Sequence, residues 1–161
     1  MITPFIIVGV LLLISIYLTT YFTNFKTGWY KTLTQPSYQP PPITFSVVWT
    51  ILYLIIWIVI SLTYPKDQSI LFYYILLLVL FVVWSYVYFE VQSLWCSAFV
   101  LVLSLVISGI LLRKIVNVSN SLILPSAFFL LVAWLFFASL ININTAIINS
   151  PCMKQPTLLN Y

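Results

Sequence analysis

The chain has 161 residues, of which 63% are hydrophobic and only 5% charged, with a mean hydropathy of +1.16. So little polar surface excludes a water-soluble domain and implies an integral membrane protein in one domain. The net charge of +4 is six cations against two carboxylates, too scattered for a nucleic-acid footprint.

The first apolar run, Pro4–Phe22, has no Lys or Arg before it and no small-residue cleavage site, so it reads as a membrane helix and not a secretory signal. Four more follow at Ile43–Thr63, Ile70–Phe89, Leu94–Leu112 and Ser121–Asn149. Each reaches the roughly 20 helical residues that cross a bilayer core. None shows the period-2 alternation of a barrel wall. The expected fold is an all-α bundle of five transmembrane helices, with the termini on opposite sides. Lys66, Arg113 and Lys114 then face Lys26, Lys31 and Lys154 across the membrane, so cation counting leaves the orientation open.

The connection from Thr23 to Pro42 is the only long one, and a loop of about 20 residues in a compact bundle usually carries function. Trp29, Tyr30, Leu33 and Tyr38 argue that it is ordered, and Pro36 and Pro40 to Pro42 stiffen it. It reads as a lid over a pocket mouth. The remaining connections, around Lys66-Asp67-Gln68, Glu90 to Ser93 and Arg113 to Asn120, are short. They predict that the second to fifth spans pack as antiparallel neighbours.

Histidine is absent, and the only carboxylate side chains are Asp67 and Glu90, on opposite sides. This removes a histidine triad, a zinc site, a paired-carboxylate site and a histidine-held haem. It also argues against proton-coupled pumping through the spans. Cys96 and Cys152 fall near the same face; two free thiols are the simpler reading, with a bridge as the alternative.

Aromatic chemistry remains. In the second span Phe45, Trp49, Tyr53 and Trp57 recur every four residues on one face, and Phe81, Trp84 and Tyr88 share a face of the third. The fifth carries Trp134, Ala138, Asn142, Thr145 and Asn149 on a smaller, more polar face. From spacing alone each aromatic reads first as ordinary helix packing, with the wall of a pocket for a planar ligand as the functional alternative. Ala138 beside Trp134 either leaves room for that ligand or permits close helix contact. Asn142 and Asn149 require partners within protein or water, an interhelical hydrogen bond being the simplest. Ser93, Ser97, Ser104 and Ser108 form a small-residue packing stripe, within the monomer or in a dimer.

Trp29-Tyr30, Leu33, Pro36, Pro40-Pro41, Phe45, Trp49-Thr50, Leu52 and Tyr53 resemble the first-loop and second-helix block of the TspO/MBR family, the tryptophan-rich sensory and translocator proteins. Trp84-Ser85 with Val87-Tyr88-Phe89 is similar to its third-helix motif, and Trp134, Ala138, Asn142 and Asn149 to its fifth. Gln35 stands where the family usually has Lys, and Tyr38 where it has Trp. Tyr86 replaces a proline, Leu77 and Phe81 replace Gln and Asn, and Leu130-Leu131 replace Pro-Tyr. The pocket wall is therefore expected to be more apolar than usual. The resemblance implies a sensor or transporter of porphyrins and similar flat hydrophobic molecules, with protoporphyrin as ligand and no covalently required cofactor. It implies ligand-binding roles for Tyr30, Trp49, Tyr53, Phe81, Trp84, Tyr88, Trp134 and Ala138, with no catalytic or metal residue. Membrane lipid, a sterol and a second copy in a homodimer are the further partners implied. The alternatives are an enzyme of light- and oxygen-dependent porphyrin breakdown, with Trp49 and Trp134 as electron-rich side chains, and a non-catalytic membrane scaffold.

Overall fold

The computed structural model describes residues 2–23 and 28–150. They form six helices: α1 (Ile2–Phe22), α2 (Gly28–Thr32), α3 (Pro42–Thr63), α4 (Ser69–Phe89), α5 (Leu94–Val118) and α6 (Ile123–Ile148). Five of them, all but α2, are long and apolar enough to span a bilayer. The protein is an integral, multi-pass membrane protein. Pro42 occupies the first turn of α3, where its missing N–H has no intrahelical partner to lose.

Two boundaries differ from expectation. The lid contains a one-turn helix, α2, too short to leave a periodic signal. Residues 113–118, expected as connection, continue α5 instead. Arg and Lys are good helix formers, and their long stems let Arg113 and Lys114 stay helical while their charges reach the interface. Four residues suffice to turn α4 into α5 because Gln92 takes a left-handed conformation, φ 58°.

Packing also departs from simple antiparallel succession. The α4–α5 and α5–α6 pairs are in intimate contact, but α3 barely meets α4 although residues 64–68 join them. Interaxial distance follows the side chains at the contact. Trp49 and Tyr53 of α3 and Phe81 of α4 are too large for close approach, and α3 and α4 meet there through the edge-on Trp49 and Phe81 rings, 5.2 Å apart. Instead α1 lies along α4. Tyr74 Oη donates to the Val8 carbonyl (3.0 Å), Ser15 Oγ to that of Leu78 (3.3 Å) and Ser85 Oγ to that of Thr19 (3.0 Å), and the Thr23 and Ser85 hydroxyls meet at 2.6 Å. Ser97, Ser104 and Ser108 are buried inside the bundle, each hydroxyl donating to a carbonyl of its own helix, which places the serine stripe within the monomer.

Lys66 and Lys114 lie together at one end of the bundle and Lys31 at the other. Lys26 and Lys154, the other cations of the orientation count, lie outside the described residues, as does Cys152. Cys96 is an exposed free thiol.

Candidate functional site

The sparse contact between α3 and α4 leaves a cavity of about 840 Å³, within the range of roughly 300–1,000 Å³ that small-molecule sites occupy. All five spans contribute to its wall. Trp49 and Tyr53 come from α3, Phe81, Trp84 and Tyr88 from α4, and Leu101 from α5. Ala138, Ile141 and Asn142 come from α6. The lid closes one end with Tyr30, Gln39 and Pro40. No charged side chain lines it among the described residues.

The aromatic wall is one interlocked set. Trp49 stacks obliquely on Tyr53 at 5.4 Å, and Trp84 on Tyr88 at 5.5 Å. The indole N–H of Trp84 donates to Asn142 Oδ1 (3.0 Å), and Asn142 Nδ2 donates to the Leu94 carbonyl (3.1 Å). One buried amide therefore binds α4, α5 and α6 together and fixes the plane of a cavity indole. This is the interhelical partner that Asn142 required.

Seven of the eight residues singled out in the sequence, Tyr30, Trp49, Tyr53, Phe81, Trp84, Tyr88 and Ala138, converge on this cavity. Trp134 does not line it. Its ring packs edge-on against Phe45 at 5.5 Å, and Phe45 itself is the lining residue. Helical spacing put Trp134 on the face of Ala138, but its indole meets the Phe45 and Phe137 rings and not the cavity.

The α1 side of the wall, with Gly9, Leu12, Leu13, Ile16, Thr19 and Thr20, was missed. The first span has no aromatic stripe to mark it. Its available signals were a lone glycine at position 9 and the hydroxyl cluster Thr19, Thr20 and Thr23.

The lid is fastened to α4 and α6. Thr34 N–H donates to Asn149 Oδ1 (3.0 Å) and Asn149 Nδ2 returns a bond to the Thr34 carbonyl (2.9 Å). Asn144 Nδ2 donates to Tyr38 Oη at 3.0 Å. The Trp29 ring meets Tyr88 edge-on at 5.8 Å, and that of Tyr30 packs on Phe89 at 5.9 Å. Gln39 Nε2 donates to Tyr30 Oη at the outer limit of 3.5 Å. Burial raises the pKa of Tyr30 above the ordinary tyrosine value, and the Gln39 bond only partly offsets this. The phenol is therefore a neutral donor at any physiological pH.

Compared with known proteins, the chain matches the sequence model of the TspO/MBR family over residues 6–148. No curated protein matches it.

Proposed function

The chain belongs to the TspO/MBR family, and we propose that it binds porphyrins and similarly flat hydrophobic molecules in the cavity beneath the lid. Membership supports a membrane sensor- or transporter-type role. The observation that carries the finer reading is the aromatic wall of Trp49, Tyr53, Phe81, Trp84 and Tyr88 around a volume of about 840 Å³. Indole and phenol rings supply large, rigid contact area to a planar π-system, and a largely apolar cavity wall favours it over polar solutes. The acidic substituents of such a ligand find no cation in the wall among the described residues. They belong at the lid end, where the neutral Tyr30 hydroxyl and the Gln39 amide can donate to them.

The test is titration of the detergent-purified protein with protoporphyrin, read by tryptophan fluorescence in the dark and under light. Saturable quenching in the dark, lost in Ala138→Phe, is expected. Quenching no stronger than that of free tryptophan in the same detergent removes the reading. Porphyrin loss under light that outpaces detergent alone adds breakdown chemistry at the Trp49 and Trp84 wall.

A further inference from the structure

Leu13, midway along α1, and Leu54, midway along α3, both line the cavity and are 66% and 53% exposed on the outside of the bundle. Side chains that belong to a cavity wall and to the outer surface at once mark an opening between their helices. Thr20, Ser46 and Thr50, also exposed lining residues, border it toward the lid. Most of this border lies at the level of the bilayer core, so the opening faces hydrocarbon and not water. It offers little obstacle to an apolar molecule. Among the described residues no charge borders it, and the Thr50 hydroxyl is already satisfied by the Ser46 carbonyl of its own helix (2.8 Å).

The fastenings around the cavity are unequal. The lid is tied to α4 and α6 by the Asn149 and Asn144 bonds and by the rings of Trp29, Tyr30 and Tyr38 on those of Tyr88, Phe89 and Phe137. Helix α1 is bonded to α4 over most of its length. Between α1 and α3 the described polar contact is at one end only. Trp57 Nε1 donates to the Phe5 carbonyl (2.9 Å), and its ring meets that of Phe5 edge-on at 6.0 Å. Gly9 makes this clasp possible, because a Cβ there would stand 3.1 Å from Trp57 Nε1.

We propose that planar apolar ligands enter and leave this cavity sideways, from the hydrocarbon phase through the α1–α3 opening, with the Trp57 clasp fixing its closed end and the lid staying shut. The route rests on the binding reading above and adds where exchange occurs.

The experiment follows protoporphyrin exchange by stopped flow with the full chain in lipid vesicles. Leu13→Trp with Leu54→Trp fills the opening and is expected to slow association and release together, each by about tenfold or more. Trp57→Phe removes the N–H that holds the clasp and is expected to speed release several-fold. Asn149→Ala removes two of the lid's bonds at a residue outside the cavity wall, loosening the lid, and is expected to leave release unchanged. Faster release in Asn149→Ala, with rates indifferent to the paired tryptophans, overturns the lateral route. If the paired variant does not fold, unchanged release in Trp57→Phe overturns it alone. Absence of saturable binding in the unaltered protein removes the binding reading and the route with it, whereas binding with rates indifferent to the opening removes only the route.

Discussion

Helix α1 has two seams, and they are built differently. Toward α4 the Val8 and Thr19 carbonyls accept from the Tyr74 and Ser85 hydroxyls, and the Ser15 hydroxyl of α1 donates in turn to the Leu78 carbonyl of α4, so the pair closes over most of its length. Toward α3 the described polar contact is the Trp57 clasp, where Gly9 admits the indole, and Trp49, Tyr53 and Trp57 of α3 line the cavity beside it. In hydrocarbon no hydrophobic force draws helices together, so side-chain size and available hydrogen bonds decide where a bundle is solid and where it is hollow. The same rule separates the halves of the molecule. Serine-lined α5 packs solidly between α4 and α6, while the aromatic faces of α3 and α4 enclose space.

The sharpest way to break the contrast is one kind of enlargement in both halves. Ser104 is fully buried in the solid half. Ser104→Phe is expected to cost about 3 kcal/mol or more, since overpacking there has nowhere to relax. It should appear as loss of folded protein on size-exclusion chromatography and a lowered melting temperature. Ala138→Phe, whose added ring projects into the cavity, is expected to fold as well as the unaltered protein and to lose protoporphyrin binding. Equal melting losses in the two variants would dissolve the distinction between solid and hollow.

A smaller effect sharpens the boundary of the hollow. Trp49→Ala removes a stacking wall and is expected to weaken protoporphyrin binding by about 1–3 kcal/mol. Trp134 does not line the cavity and reaches its wall through the Phe45 ring. Trp134→Ala is expected to weaken binding by less than about 1 kcal/mol, measured by the same fluorescence titration. A loss as large as that of Trp49→Ala would place the ligand against α6 and behind Phe45.

Within the bonded seam, Tyr74→Phe deletes the hydroxyl that reaches the Val8 carbonyl. The expected loss is about 0.6 kcal/mol, the average for an interhelical hydrogen bond in a membrane, read by thermal unfolding in detergent. No change would mean that the apolar contacts of α1 with α4 carry the seam without its hydrogen bonds.

How far the sequence foretold this follows from what kind of signal each feature leaves. The five spans were legible because twenty-odd apolar residues in a row have few other destinations, and the observed helices start and stop within two or three residues of expectation except at residues 113–118. The aromatic faces of α3 and α4 were legible because bulky residues at i and i+4 must share a side. Trp134 shows the limit of that inference: periodicity fixes the face from which a side chain leaves, not the rotamer it takes among neighbours. The α1 wall was invisible for the opposite reason. Leucines that border a cavity are no different in sequence from leucines that border lipid, and only the third dimension shows Leu13 doing both. Asn142 and Asn149 were marked as needing partners. Which partners they find, the Trp84 indole and the Thr34 backbone, depends on helix order, and helix order did not follow from connection length.

The smallest effect concerns the other fastening of the loose helix, the turn at residues 64–68 that ends α3. There Asp67 Oδ1 accepts from the Ser69 hydroxyl (2.6 Å) and backbone N–H (2.9 Å), and Oδ2 lies 3.4 Å from Lys114 Nζ, which also donates to Ser69 Oγ at 2.6 Å. Lys66 Nζ reaches the Val118 carbonyl at 3.3 Å, so both lysines tie the turn to the end of α5. The Ser69 bonds, and after them the Lys114 charge, hold the Asp67 pKa below the ordinary aspartate value. A carboxylate whose pKa is lower folded than unfolded stabilises the fold above its unfolded value of about 3.9 and stops doing so as the pH falls through the depressed folded value. The group is solvated and partly screened, so its contribution is small. Melting temperature in detergent at fixed ionic strength is therefore expected to be flat from about pH 7 to 5 and to decline slightly below about pH 4. Glu90 is the only other acidic side chain in the chain. Asp67→Asn, which keeps an acceptor for Ser69 but does not titrate, is expected to abolish most of that acid decline and to lower the neutral-pH melting temperature by an amount that shrinks with added salt. An identical acid decline in Asp67→Asn would move the sensitivity elsewhere and leave the Trp57 clasp as the only described polar fastening that α3 makes to α1.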